Sequence, residues 1–432
     1  MPLLSKRIGL LDTENAFKIG PKIRAIEAQG KKVITCNLGE PDFPVPAFIK
    51  EEVKRQIDLD NTHYCDPQGI ISLRKAVAGY FGETRGITAD PQRVVVFPGA
   101  KPPIGLCQEA YCDSGDEVIY PSPGYPIYES FIRYVGAKPV PIHLKEEMGF
   151  TLSGAEIAAA ISPRTKMIFL NFPSNPTGGV ASREQLEEIA GVINAKCSPE
   201  VRIYSDEVYE NILFDGSRHQ SIISFPGMEE RTVLVSGVSK SFSWTGGRIG
   251  WALFPTTEEA EVFKNLNINY FSCIPAYNQE GARLGLESPL AAQAIHVMVE
   301  AFQERRDLIV RGLSLIPGIR CQKPKGAFYV FPNVSGVCEN IGILDAYRDM
   351  PASLRKMTTP STLLQMFLLF EYQVATMDRK SFGRIGTENM HDLRISIATD
   401  IDSLKEAVAR IGEAAQDRKG FARFLEKGDN LY

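Results

Sequence analysis

Between residues 66 and 290, short apolar runs alternate with segments of helical periodicity, and few folds accommodate that rhythm. The runs are RVVVFPG from Arg93, DEVIYP from Asp116, KPVPIHL from Lys138, KMIFLNFP from Lys166, VRIYSDE from Val201, RTVLVSG from Arg231 and RIGWALFP from Arg248. Between them lie helical patterns such as GIISLRKAVAGYF from Gly69, REQLEEIAGVINAK from Arg183 and TEEAEVFKNLNI from Thr257. Strands separated by helices pair in parallel, and a strand covered on both faces reads as a continuous apolar run rather than an alternating one. The spacing therefore predicts an α/β fold with a mostly parallel seven-stranded sheet sandwiched by helices.

A long periodic segment, AAQAIHVMVEAFQERRDLIVRGLSLI from Ala291, reads as a helix leading into a smaller α+β unit. That unit has strand signals GAFYVFP, YQVAT and LRISIAT, interleaved with helical TPSTLLQMFLLFE and IDSLKEAVARIGEAAQ. The expected organisation is a large ligand-binding domain over 46–290. A small domain would be built from an N-terminal arm, 1–45, and from 291–432. Residues 332–358, less periodic, read as a surface insertion with local helix.

Composition narrows the partners. The chain has 432 residues, 48 basic and 52 acidic, for a formal charge of −4, so no basic field attracts nucleic acid or anionic lipid. The window LLQMFLLFEYQV from Leu363 is too short and too polar for a membrane span. The N-terminus lacks a signal-peptide apolar core. Eight scattered cysteines without a CxxC pair and five dispersed histidines (His63, His143, His219, His296, His391) argue for reduced thiols, a cytoplasmic location and no metal site.

In open parallel sheets ligands bind beyond the carboxyl ends of the strands, and unusual residues collect there. After VVVF come Gly99, Ala100 and Lys101, then two prolines suited to a first helical turn, which makes a candidate anion cradle. NFPSNPTGG places Asn175 before a proline, in an extended or turn conformation. VRIYSDEVY ends a strand at Asp206, followed by Tyr209. Next, VSGVSKSFSWTGGRIG places Lys240 and Arg248 in a loop crowded with Gly and Ser. Each feature alone has an ordinary structural reading: a tight turn, a helix cap or a solvated charge. Together they offer an amine, a carboxylate, an amide, an aromatic and cations, which is what a phosphorylated pyridine aldehyde requires.

The chain resembles the fold-type I pyridoxal-5′-phosphate (PLP) enzymes, specifically the class I/II aminotransferases of the aspartate aminotransferase type. The resemblance runs from NLGEPDFPVP at Asn37 through HYCDPQGIISLRKAV, SPGYPIY, NPTGG, SDEVY and SKSFSWTGGRIGW to LRISIA at Leu393. It implies that Lys240 forms a Schiff base with the cofactor, that Arg248 and Ser239 meet its phosphate, and that Gly99, Ala100 and Lys101 form the phosphate-binding helix start. Gly237 stands where many relatives carry serine, which leaves Ser236 and Ser239 less defined as phosphate donors. Tyr125 is implied to stack on the pyridine ring and Asp206 to hold its nitrogen protonated. Asn175 and Tyr209 are implied to bond the phenolic oxygen. Lys240, Asp206 and Tyr209 are the candidate catalytic residues. Arg394, with Gly39 and Asn175, is implied to bind the substrate α-carboxylate, and Tyr64 to reach the neighbouring subunit's phosphate in a homodimer.

The expected reaction moves an amino group from an L-amino acid to a 2-oxo acid by a ping-pong cycle. Lys101 resembles the residue that meets a distal carboxylate, which favours aspartate or glutamate, with contact to solvent or phosphate as its other reading. The sequence ATMDRKSFGRIG from Ala375 and the segment after Pro332 depart from the family pattern near the substrate entrance. A PLP-dependent lyase of the same fold shares every cofactor residue and is the alternative. A sensor using the fold without catalysis would have no reason to keep Lys240, Asp206 and Arg394 together.

Overall fold

The computed structural model describes residues 3–12 and 14–432. A two-residue strand, β1 (Ile34–Thr35), precedes a large sheet made of β2 (Val94–Phe97), β3 (Glu117–Ser122), β4 (Lys138–His143), β5 (Thr165–Asn171), β6 (Arg202–Asp206), β7 (Thr232–Gly237) and β8 (Gly250–Leu253). All seven apolar runs thus become strands of one sheet, in the order β2-β8-β7-β6-β5-β3-β4. The pairs β3–β4, β3–β5, β5–β6 and β6–β7 are parallel. β8 runs antiparallel to both its neighbours, β2 and β7. Its first residue therefore lies at the edge where β2, β5, β6 and β7 end, and that edge collects the site.

The reason for the uninterrupted apolar runs is visible in the packing. Val95, Phe97, Val118, Met167, Phe169, Val233 and Val235 face one buried cluster. Their neighbours Val94, Val96 and Leu234 face another, and Ile119, Ile168, Leu170 and Ile203 face the largest. Successive residues of a strand point to opposite faces, so both faces must be apolar. The helix Arg183–Lys196 starts where its sequence says it should: Ser182 and Gln185 form a reciprocal capping box, satisfying two of the amides a helix start leaves open.

Beyond the helix Ala291–Ser314 come β9 (Tyr329–Val330), β10 (Val374–Ala375), β11 (Met377–Asp378) and β12 (Leu393–Ser396). β11, β12 and β9 form a three-stranded antiparallel sheet, and β1 pairs in parallel with β10 through Ile34↔Val374 and Thr35↔Ala375. Ala16, Ile19, Ile23 and Ile26 of the helix Asn15–Glu27 share a cluster with Leu364, Phe367 and Ile411, so the N-terminal residues pack with C-terminal ones. The apolar window from Leu363 is a buried helix, Pro360–Tyr372. Among the described residues no helix is long and apolar enough to cross a membrane.

One expectation needs correction. Residues 332–358 do carry short helices, Ser335–Asn340, Ile343–Asp349 and Ala352–Arg355. The segment is not simply a surface insertion, because Val337, Cys338, Ile341 and Ile343 are buried in the largest cluster. Its weak periodicity reflects helices of only one or two turns, too short to show a repeating apolar face.

Candidate active site

A cleft of about 430 Å³ opens at the carboxyl edge of the large sheet, and Lys240, Asp206, Arg248 and Arg394 all line it. Gly39, Ala100, Lys101, Tyr125, Asn175, Tyr209 and Ser239 line it as well, so most residues singled out in the sequence meet in one place. Tyr64 does not: it is 88% exposed on the outer surface of the chain.

Lys240 sits in the four-residue helix Val238–Ser241, directly after β7. Its Nζ donates to the Gly39 carbonyl at 2.7 Å and lies 5.9 Å and 5.7 Å from the Tyr209 and Phe328 ring centroids. Burial pushes its amine down to about 8, with the charges of Arg394 and Lys101 acting the same way and Glu14 and Glu40 opposing. A lysine so placed supplies neutral amine near physiological pH, as a covalent or general-base role requires.

Asp206 ends β6. Its Oδ2 accepts from the Tyr128 hydroxyl at 2.6 Å, and among the described residues no cation pairs with it. Burial raises its carboxyl to about 6, against the lowering effect of the Tyr128 hydrogen bond. A buried carboxylate without a cationic partner is costly and suits a protonated ring nitrogen. Tyr128, one helical turn after Tyr125, was missed in the sequence; its spacing from Tyr125 on the helix Pro126–Tyr134 is the signal that could have found it. Asn171 was missed too. Its side chain donates to the Asp206 carbonyl at 3.1 Å and accepts from the Asn175 amide at 2.9 Å, fixing two loops together. The Tyr209 hydroxyl lies 2.8 Å from that of Tyr329, another residue the sequence did not disclose.

Two arginines of the cleft are placed to receive anions. Arg248 donates to the carbonyls of Thr245 at 2.7 Å and Pro98 at 3.0 Å. Arg394, 5% exposed, donates to Asn175 Oδ1 at 3.0 Å and to the Asn37 carbonyl at 2.6 Å, and its Nε has no partner. Among the described residues neither guanidinium has a carboxylate within ion-pair distance. The unpartnered Nε of buried Arg394 is expensive, Arg248 is exposed to the cleft, and each fork matches a phosphate or carboxylate.

The loop after β2 has the close backbone packing that an anion cradle needs. Gly99 has φ +94°, a left-handed conformation, and a Cβ there would collide with the Arg248 guanidinium. A Cβ on Gly250 would likewise collide with the Ala100 amide. Pro102 and Pro103 open the helix Pro102–Tyr111 without N–H groups, so the donors left for an anion are the Ala100 and Lys101 amides, which bond no described group. The donor set thus fits a ligand with one phosphate, one basic ring nitrogen and an aldehyde.

Two readings change. Ser236 faces away from the cleft and donates to Glu210, so it is no phosphate donor; Gly237 beside it is extended and leaves no room for a side chain against Gly250. Lys101, expected to stand free for a substrate or phosphate, is ion-paired with Glu14.

Behind the cleft lies a second polar layer. Arg85 pairs with Glu207 at 2.7 Å and with Glu210, and His219 Nε2 lies 2.7 Å from Glu207. These carboxylates neighbour Asp206 and Tyr209 in sequence. Asn211 donates to Ser241 Oγ at 3.0 Å, tying this turn to the residue beside Lys240.

Comparison with known proteins agrees with this geometry. The family described as aminotransferase class I and II matches residues 31–411. A probable aspartate/prephenate aminotransferase of Aquifex aeolicus is 35% identical over 96% of this chain and 99% of that protein. An aromatic-amino-acid aminotransferase of Thermococcus litoralis is 32% identical over 96% of this chain and 99% of its own length. The crystal structure of the aspartate aminotransferase from Rhizobium meliloti superposes with a TM-score of 0.85 at 32% identity, covering 96% of this chain and 99% of that one. The chain therefore belongs to the class I and II aminotransferases, PLP-dependent enzymes that transfer amino groups.

Proposed function

We propose that this cleft carries out the whole transamination cycle with the residues assigned from the sequence. Lys240 Nζ is the covalent anchor of the cofactor aldehyde. Arg248, the Ala100 and Lys101 amides and Ser239 hold its phosphate, while Asn175 and Tyr209 face its phenolic oxygen and Tyr125 its ring. Asp206 holds a proton on the ring nitrogen. When bound, the cofactor supplies an electrophilic carbonyl carbon and a cationic ring able to take up negative charge from the substrate Cα. Arg394 binds the α-carboxylate through its fork, assisted by the Gly39 main chain, and so orients the Cα–H bond. Lys240, free once the substrate is engaged, would take the Cα proton on Nζ and pass it to the carbon that was the cofactor's carbonyl, not back to Cα, so that Cα is left at the level of an oxo acid. One site serves both amino donor and oxo-acid acceptor in turn, which makes the kinetics ping-pong.

The observation that carries this reading is the charge pattern: a buried carboxylate with no cation, and two guanidiniums with no carboxylate, around one amine. Asp206→Ala tests it. The variant is expected to retain PLP and lose about two or more orders of magnitude in turnover; near-wild-type turnover would contradict the role of Asp206.

The cofactor-binding half corresponds to residues 46–290, and the second domain to 291–432 together with the N-terminal arm, whose helix Asn15–Glu27 packs with C-terminal residues. The working unit is a homodimer. Cys65 Sγ bonds the Ile274 carbonyl at 3.2 Å and Asn267 Nδ2 the Pro67 carbonyl at 3.0 Å, which gathers exposed Tyr64, Ile268 and Tyr270 into one region. Such a patch favours burial against a second copy. Free thiols at every cysteine support a reducing compartment, the cytoplasm.

A further inference from the structure

We propose that Glu14 sets side-chain specificity by neutralising Lys101, so that the enzyme prefers amino donors with uncharged aromatic or apolar side chains over dicarboxylic ones. The inference rests on the assignment of Arg394 to the α-carboxylate and reverses the expectation drawn from Lys101 alone.

Glu14 is the N-cap residue of the helix Asn15–Glu27, and it lines the cleft. Its Oε1 accepts from the Tyr125 hydroxyl at 2.7 Å and from Lys101 Nζ. Its side chain is only 18% exposed, against 46% for Lys101, so the anion is held in place and is not a passing surface partner. The ammonium of Lys101 also lies 5.8 Å from the ring centroids of both Phe17 and Tyr125.

The lining charges of the cleft are Lys101, Lys240, Arg248 and Arg394 against Glu14, Glu40 and Asp206. Three cations and one anion have duties toward the cofactor and the α-carboxylate: Lys240, Arg248, Arg394 and Asp206. What remains for the substrate side chain is Lys101, Glu14 and Glu40, one positive charge facing two negative ones. A distal carboxylate entering here meets a lysine already paired and must displace Glu14 or lie against it. Like charges at that range repel in a partly desolvated site. By contrast, Phe17 and Leu38 line the same cleft while 63% and 39% exposed, an apolar wall that stays largely open beside Lys101. Burying a substrate's aromatic ring there removes apolar surface from water on both sides.

Binding of unreactive acids to the holoenzyme tests this without turnover. Dissociation constants of 3-phenylpropionate and succinate are measured by calorimetric titration for the wild type, Glu14→Gln and Arg394→Ala. The wild type is expected to bind 3-phenylpropionate more tightly. Glu14→Gln, which frees Lys101 and removes a negative charge, is expected to tighten succinate by about tenfold or more while shifting 3-phenylpropionate less than about threefold. The kcat/KM ratio of aspartate to phenylalanine should rise in parallel. A wild type that binds succinate more tightly overturns the proposal with no variant needed, and so does a Glu14→Gln protein whose succinate affinity is unchanged or lower. Arg394→Ala should weaken both acids; if it weakens neither, the α-carboxylate assignment fails, and this proposal with it.

Discussion

Arg394 Nη1 donates to Asn175 Oδ1 at 3.0 Å, so the arginine assigned to the substrate is tied to the asparagine assigned to the cofactor. The link crosses from β12 to the loop after β5, and the second Nη is held by the Asn37 carbonyl. The guanidinium is thereby oriented before any substrate arrives. Orientation fixed in advance lowers the entropy lost on binding.

A lysine cannot reproduce that fork. Arg394→Lys is expected to lower kcat/KM for every amino donor by about a hundredfold, equivalent to about 3 kcal/mol. PLP content should stay unchanged. Single-turnover kinetics together with the cofactor absorbance separates the two effects.

Lys240 must be neutral to capture an aldehyde, and burial brings its amine to about 8. The rate at which apoprotein takes up PLP should therefore rise with pH through about 8 and level off above it. For an unperturbed lysine the rise would continue toward 10.5, its ordinary value. Stopped-flow absorbance across pH 6 to 10 reads the midpoint.

Asp206 is a strain on the protein without cofactor. Its carboxyl is raised from 3.8 to about 6 by burial, so the folded state holds its proton more firmly than the unfolded chain does. The stability this contributes is full below pH 3.8 and lost as pH rises through about 6; the difference corresponds to about 3 kcal/mol. Asp206→Asn apoprotein should accordingly be more stable than wild-type apoprotein at pH 8, and the gain should shrink toward zero near pH 4. Urea unfolding at the two pH values checks it.

Arg85 has two buried carboxylates to compensate, Glu207 and Glu210. Burial pushes Glu207 up, but the charges of His219 and Arg85 outweigh it and hold the group at about 2. Arg85→Ala should cost about 3–5 kcal/mol of stability, because Glu210 loses its cation and Glu207 is left with His219 alone. Arg85→Ala combined with Glu207→Gln and Glu210→Gln should recover part of that loss. Denaturation midpoints of the single and triple variants decide.

Tyr64 lies outside its own chain's cleft, 88% exposed. In a shared-site homodimer, mixing Tyr64→Phe with Lys240→Ala subunits produces hybrids with one intact site. Activity above that of either parent is the expected result once subunits have exchanged; no gain on mixing would contradict a shared site.

The large sheet was legible because its inner strands are apolar on both faces, which leaves an unbroken run in the sequence; edge strand β4 is mostly half-buried. The antiparallel sense of β8 was not, since a run such as RIGWALFP carries no direction. β11 could not be foreseen either: Met377 and Asp378 are two residues held by pairing with Arg394 and Leu393, not by a local pattern. Among site residues, those following strands stood out because strand ends are where unusual side chains must have a reason. Glu14, Tyr128 and Tyr329 gave no such signal. Glu14 meets Tyr125 only across 111 positions of chain, and Tyr329 meets Tyr209 across 120. Lys101 shows the same limit: it lines the cleft, but nothing in the sequence pointed to its ion pair with Glu14.

Reduction of the holoenzyme with borohydride, followed by proteolysis and mass mapping, asks directly whether Lys240 holds the cofactor. The pyridoxyl group should be found on the Nζ of Lys240 and on no other lysine. A label on Lys101 or elsewhere, or no label in a protein that retains its cofactor and activity, would contradict the assignment on which the site is built.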